Sequence, residues 1–198
     1  MNLYLEIIAV FLNLIYLILL IKEHIACWFF GISGSIISIY IFYSIGLYSE
    51  SILYIYYVVI GIYGYQLWKK KDSPEDNLKI KTISLKKHFL IIVFGILLAI
   101  VVGQYFKSHT DAVNPYLDAF TTIFSFIASF LEAKKILSSW LFWIVINTAT
   151  VLLYFQQNLN YYLLLTIIYI VFSFIGYIDW KKKHKIAKAN SLKKNILR

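Results

Sequence analysis

Three side chains in the stretch SSWLFWIVINTATV, residues 138–151, have the types and the spacing to hold a flat ring. At about 100° per residue, Trp140, Trp143 and Asn147 fall within about 60° of one another on one helix face. An indole stacks on any planar heterocycle, worth about 1–3 kcal/mol per ring. A carboxamide both donates and accepts hydrogen bonds, so Asn147 suits the polar edge of such a ring. Thr122, Ser125 and Ser173 supply hydroxyls to line a path, and Gln66 supplies a second amide. A plainer reading stands beside each. Trp140 lies where an aromatic belt would fall, Asn147 is able to tie two helices together, and the hydroxyls can bond carbonyls of their own helices.

Other chemistries find little to work with. Cys27 is the single cysteine, which leaves no intramolecular disulfide and no cysteine metal cluster. His24, His88, His109 and His184 lie in or beside connecting segments, with no ligand spacing between any two. No P-loop occurs, so direct ATP coupling is not expected. Glu6, Asp118, Glu132 and Asp179 sit near the ends of apolar stretches, away from the midplane where a proton relay or ion site belongs. We expect no catalytic residue, no metal, no cofactor and no enzymatic activity.

The elements that must position the ring-binding face are membrane spans. Of 198 residues, 61% are hydrophobic and 15% charged, with a mean hydropathy of +0.73. A water-soluble domain of this size could not bury that much apolar surface. Seven stretches approach the roughly 20 residues needed to cross a hydrocarbon core of about 30 Å. They are 3–21, 26–43, 51–68, 88–106, 117–133, 139–155 and 161–180, and both prolines, Pro74 and Pro115, fall between them. The opening MNLYLEIIAVFLNL has no basic head and no cleavage site, so it is read as the first span. Of the 19 Lys and Arg, all but Lys107 fall in loops on one side. Positive charge stays inside, which places the N-terminus outside and the C-terminus in the cytoplasm. The basic tail is then a partner for anionic lipid, not for nucleic acid. Trp68 and Trp180, each followed by three lysines, read as interfacial anchors.

An internal repeat organises the spans. GYQLWKKK (64–71) returns as GYIDWKKK (176–183), 112 positions on, and the same offset pairs Trp28 with Trp140, Lys22 with Lys134 and Tyr57 with Tyr169. Both copies end in lysines on one side, so they are parallel, and a lone fourth span must carry the chain back between them. The expected fold is all-α and integral to the membrane: seven transmembrane helices as two parallel three-helix repeats joined by a linker helix. Residues 1–71 form the first repeat, 72–112 the loop and linker helix, 113–183 the second repeat, and 184–198 the basic tail. This three-one-three plan is the arrangement of SWEET transporters, which leaves a sugar carrier as one alternative. Where the second copy has Trp143 and Asn147, the first has Gly31 and Ser35. One copy brings the ring and the amide; the other, with GISGS, leaves room. Asn147 lies about 12 Å into its span, near the midplane, where substrate sites between repeats are expected. An amide there without partners costs on the order of 2–7 kcal/mol.

Two segments carry a family resemblance. Residues 28–68 resemble the first repeat of the PnuC family of bacterial vitamin transporters, and DAFTTIFSFIASFLEAKKILSSWLFWIVIN (118–147) resembles the second. Asp118, Ala119, Thr122, Ser125, Ala128, Leu131 and Lys135 follow the family's DA-x-x-T-x-x-S-x-x-A-x-x-L-x-x-x-K run, and Trp140 and Trp143 its W-x-x-W. The resemblance implies facilitated uptake of nicotinamide riboside across the bacterial inner membrane, a homotrimer, and thiamine or riboflavin as alternative cargoes. A cationic pyridinium would add about 0.5–2 kcal/mol of cation–π attraction to the stack. Asn147 stands where many members carry aspartate, a departure that bears on which vitamin is taken.

Overall fold

The computed structural model describes residues 3–44, 48–69, 79–110, 114–156 and 160–196. Pro74, most of the mixed-charge loop 70–81, and the expected boundaries at 71/72 and 112/113 lie outside them. Seven α-helices make up the described residues: α1 (Leu3–Ile21), α2 (Cys27–Ser44), α3 (Tyr48–Lys69), α4 (Leu85–His109), α5 (Pro115–Ala133), α6 (Ser139–Gln156) and α7 (Asn160–Ile196). Each follows one of the apolar stretches. The ends have local causes. Ser84 caps α4, its side chain accepting from the Lys87 backbone N–H, and Pro115 opens α5 where its missing donor costs nothing.

Six of the seven helices are long and apolar enough to cross a membrane. The exception is α3. Its 22 residues reach roughly 33 Å, but they include Glu50, Ser51 and the tyrosines Tyr54, Tyr56, Tyr57, Tyr63 and Tyr65, which lower its apolarity. Large apolar side chains such as Phe11, Tyr40, Phe94, Val145 and Phe174 are exposed on several helices, the outward face of a multi-pass membrane protein.

The chain divides into two compact units, Met1–Lys79 and Ile80–Arg198. In the first, α1 packs on α2 and α2 on α3. Trp28 meets Trp68 edge to face at 5.3 Å and 85°, with Gly64 beneath its six-membered ring. In the second, α4 packs on α5, α5 on α6 and α6 on α7. Here Trp140 meets Trp180 at 5.4 Å and 90°, with Gly176 beneath. Each edge-to-face pair contributes about 0.5–1.5 kcal/mol beyond the area it buries. This corrects the reading of Trp68 and Trp180 as interfacial anchors. Both are buried inside their units, because a glycine on the same helix admits the partner indole.

The ends of α1 and α5 repeat the same device. Glu23 and Lys135, again 112 apart, are the two non-glycine residues at positive φ among the described residues, 58° and 53°. Each follows its helix in a left-handed cap. The His24 N–H reaches the Leu19 carbonyl and the Glu23 N–H that of Leu20; the Ile136 N–H reaches Leu131 and the Lys135 N–H Glu132. All four bonds are 2.9 Å.

Two elements depart from the expected plan. α4 buries only a stripe of small residues, Gly95, Ala99 and Gly103, which lets it lie closely on α5; Gly95 faces Phe124, and Gly103 faces Tyr116, whose hydroxyl donates to Gln104 Oε1. α7 does not stop at the expected tail boundary. Its 37 residues run unbroken through Lys183 and His184, roughly 55 Å against the 30 Å or so of hydrocarbon, so its last turns project past the lipid core.

Candidate functional site

The residues expected to bind a ring gather on the α5–α6–α7 side of the second unit. The left-handed turn at Lys135 sends the chain from α5 into α6 after five residues, so the two helices start and end together. Residues 80–83 brace this turn: the Lys81 N–H donates to the Lys135 carbonyl at 2.9 Å, and the Leu137 N–H to the Lys81 carbonyl at 2.8 Å. From α7, His184 Nδ1 pairs with the Ile80 carbonyl at 2.8 Å. At the opposite end of the hairpin the Asn114 amide donates to Gln156 Oε1. The apolar filling between α5 and α6 consists of Phe124, Ala128, Leu131, Phe142 and Ile146 with Ile136 of the turn. Trp143 packs against its margin.

Trp143 is half-buried, and its indole N–H donates to Oε2 of Glu132, one helix over on α5. Glu132 itself is buried, 2% exposed. The hydrogen bond orients the indole and occupies its one donor, which leaves only the ring faces for contact with a further group. One turn further along α6, the Asn147 amide donates to Ser173 Oγ on α7 at 3.4 Å, and Ser173 Oγ in turn donates to the Tyr169 carbonyl at 2.7 Å. A separation of 3.4 Å is at the long end for this geometry, so Asn147 is only lightly held. Together Trp143 and Asn147 present an aromatic plane and an adjustable amide on one face of α6, near its middle.

The other expected residues divide. Trp140 is wholly buried, and the Trp180 edge and Gly176 surround it; it shares the face of Trp143 but offers no free surface within its unit. Ser125 is buried on α5, its carbonyl accepting from Ser129 Oγ at 2.7 Å, and Thr122 is half-buried one turn earlier. Gln66 belongs to the first unit, where it is exposed near the end of α3. Gly31 and Gly34 are close-packing positions on α2: a methyl group at Gly31 would come within 2.8 Å of the Tyr16 ring, and one at Gly34 within 2.6 Å of Asn13 Oδ1. Among the described residues no group of three His, Cys, Asp or Glu is placed to hold a metal ion.

Two residues carry more than their sequence signal suggested. Glu132 is legible as a carboxylate near a span end, but nothing in its spacing points at the Trp143 N–H. Asn13 is the other. It is the eleventh residue of the 19 in α1, an amide in the middle of an apolar span, and that placement alone is a signal.

A family model described as nicotinamide mononucleotide transporter matches residues 3–182. The chain is 25% identical over 173 residues to the nicotinamide riboside transporter PnuC of Neisseria mucosa, an alignment covering 81% of this chain and 65% of that protein. It thus spans a little under two thirds of that relative's length. To the protein of the same name from Escherichia coli it is 26% identical over 180 residues, covering 78% of this chain and 74% of that one. The crystal structure of the vitamin B3 transporter PnuC superimposes with a TM-score of 0.78 at 23% identity, over 93% of this chain and 83% of the other. That likeness establishes the fold.

Proposed function

The chain belongs to the nicotinamide mononucleotide transporter family, and from that premise we propose that it carries nicotinamide riboside across the bacterial inner membrane. The observation that carries this reading is the α6 face on which Trp143, its donor tied to Glu132, presents a ring plane beside the lightly held amide of Asn147. A pyridinium stacks on the indole, and the carboxamide or ribose hydroxyls meet the amide. Trp140, locked between Trp180 and Gly176, sets the position of the helix that bears them. Ser173, Ser125 and Thr122 furnish hydroxyls beside that face, and Gln66 is assigned to the path from α3.

The mechanism is uncoupled facilitated diffusion. The carboxylates of the described residues lie near the span ends, and the one that reaches the site, Glu132, is engaged by the Trp143 N–H; a cytoplasmic kinase that phosphorylates the vitamin would trap it after entry. Helices α1–α3 and α5–α7 act as parallel three-helix repeats with α4 as linker, a reading supported by three features recurring 112 residues apart: the tryptophan pair, the glycine beneath it and the left-handed helix cap. The lysine distribution supports an N-terminus outside and a C-terminus inside, and the resemblance supports a homotrimer. Thiamine and riboflavin remain the second reading, since the indole plane stacks on any flat heterocycle and, by the resemblance, Asn147 stands where many members carry aspartate.

A binding panel on the purified protein tests the proposal, with nicotinamide riboside, thiamine, riboflavin and a hexose as the arms. We expect nicotinamide riboside to bind and Trp143→Ala to raise its Kd by about 5- to 150-fold, the equivalent of 1–3 kcal/mol of lost stacking. Binding of the hexose without any of the vitamins would overturn it.

A further inference from the structure

We infer that Asn13, on α1 of the first unit, is a second hydrogen-bonding station for the carried vitamin; this rests on the proposed transport function. At about 100° per residue, the exposed Tyr4, Ile7, Ile8, Phe11 and Ile18 all lie about 120° or more around α1 from Asn13. The buried Ala9 and Leu20 lie within about 40° of it. The amide therefore turns away from the lipid face, toward α2, where Gly34 leaves the space its Oδ1 fills.

Its surroundings do not satisfy it. Asn13 is half-buried and keeps accessible surface, and its side chain makes no hydrogen bond to any described residue. An inward-facing amide at the middle of a span, with open surface and no protein partner, is stable only where water or a polar solute reaches it.

Comparison of the two units gives the second, independent line. At equivalent positions the first has Asn13 and Tyr16 on α1 against Gly31 and Ser35 on α2; the second has Ser125 and Ala128 on α5 against Trp143 and Asn147 on α6. Each unit thus has one amide, one large ring, one serine and one small residue in this layer, but the helix carrying the ring and the amide has changed. The Tyr16 ring lies over Gly31 and sits 6.1 Å from Trp28. The chemical pair that recognises a hydroxylated flat ring on α6 therefore exists a second time on α1.

Cysteine accessibility tests this in reconstituted vesicles, in a Cys27→Ser background chosen because the second unit has Ser139, equally buried, at that position. A membrane-impermeant methanethiosulfonate is applied to Asn13→Cys and, as the lipid-facing control, Phe11→Cys. We expect Asn13→Cys to react at least tenfold faster than the control, and saturating nicotinamide riboside to slow it at least threefold. Reaction no faster than that of Phe11→Cys would overturn the inference, as would labelling unchanged by vitamin in a preparation that binds it. Binding to the parent protein is measured alongside: its absence condemns the substrate assignment, whereas a closed Asn13 position condemns only the station.

Discussion

Replacing Glu132 by leucine separates the placement of the indole from its presence. The first unit has Leu20 at the equivalent position, wholly buried at the end of the same kind of helix, so leucine is a residue this turn accommodates. The substitution puts an apolar side chain of similar size in place of the carboxylate and so removes the acceptor of the Trp143 N–H. Leaving that donor without a partner costs about 1–3 kcal/mol. The half-buried indole recovers part of the loss by rotating toward another acceptor, and in rotating forfeits stacking worth about 1–3 kcal/mol. Since about 1.4 kcal/mol is tenfold in affinity, the Kd for nicotinamide riboside should rise by about 5- to 150-fold. Glu132→Gln retains a carbonyl acceptor in the same place and should stay within about threefold of the parent. Titration calorimetry reads the affinities, and near-ultraviolet circular dichroism reads the fixed indole, whose signal should fall in Glu132→Leu and persist in Glu132→Gln. Binding by Glu132→Leu within twofold of the parent, with binding lost in Trp143→Ala, would refute this role for Glu132, because the indole would then need no anchor.

Adding a methyl group at Gly176 should destabilise the protein by about 1–3 kcal/mol, since the new Cβ would meet the Trp140 ring at 2.6 Å and Trp180 blocks its retreat. Gly64→Ala, which drives the same atom into Trp28, should match it to within about 1 kcal/mol; thermal unfolding in detergent measures both, and an unchanged midpoint in either refutes the packing account. At the amide, Asn147→Leu should weaken vitamin binding by about 5- to 30-fold, whereas Ser173→Ala, which takes from Asn147 only a 3.4 Å bond and otherwise loses the hydroxyl's own bond to the Tyr169 carbonyl, should change it by less than about threefold. Equal losses in the two variants would make Asn147 a helix tie and not a ligand contact.

What the amino-acid sequence alone determined was set by the solvent and by repetition. Transfer of apolar side chains into lipid acts residue by residue, so the seven helices are legible, and their starts fall within a few residues of the expected ones. The recurrence of Trp, Gly and Lys at one offset exposed related segments, and helical periodicity placed Trp140, Trp143 and Asn147 on one face. α3 marks the limit of that approach: its tyrosines suit burial against protein, as in the stacked Phe42–Tyr54 pair, and lower its apolarity without shortening it. Lateral partners were decided only by the tertiary structure. Trp68 and Trp180 belong to the interior because Gly64 and Gly176 accept an indole from another helix, a fact that their neighbouring lysines conceal. Glu132 meets Trp143 across a left-handed turn, and Asn13 meets Gly34 across a helix pair. Periodicity along one helix reports which face avoids lipid; it carries no record of the side chain that the neighbouring helix brings to that face, and recognition depends on that side chain.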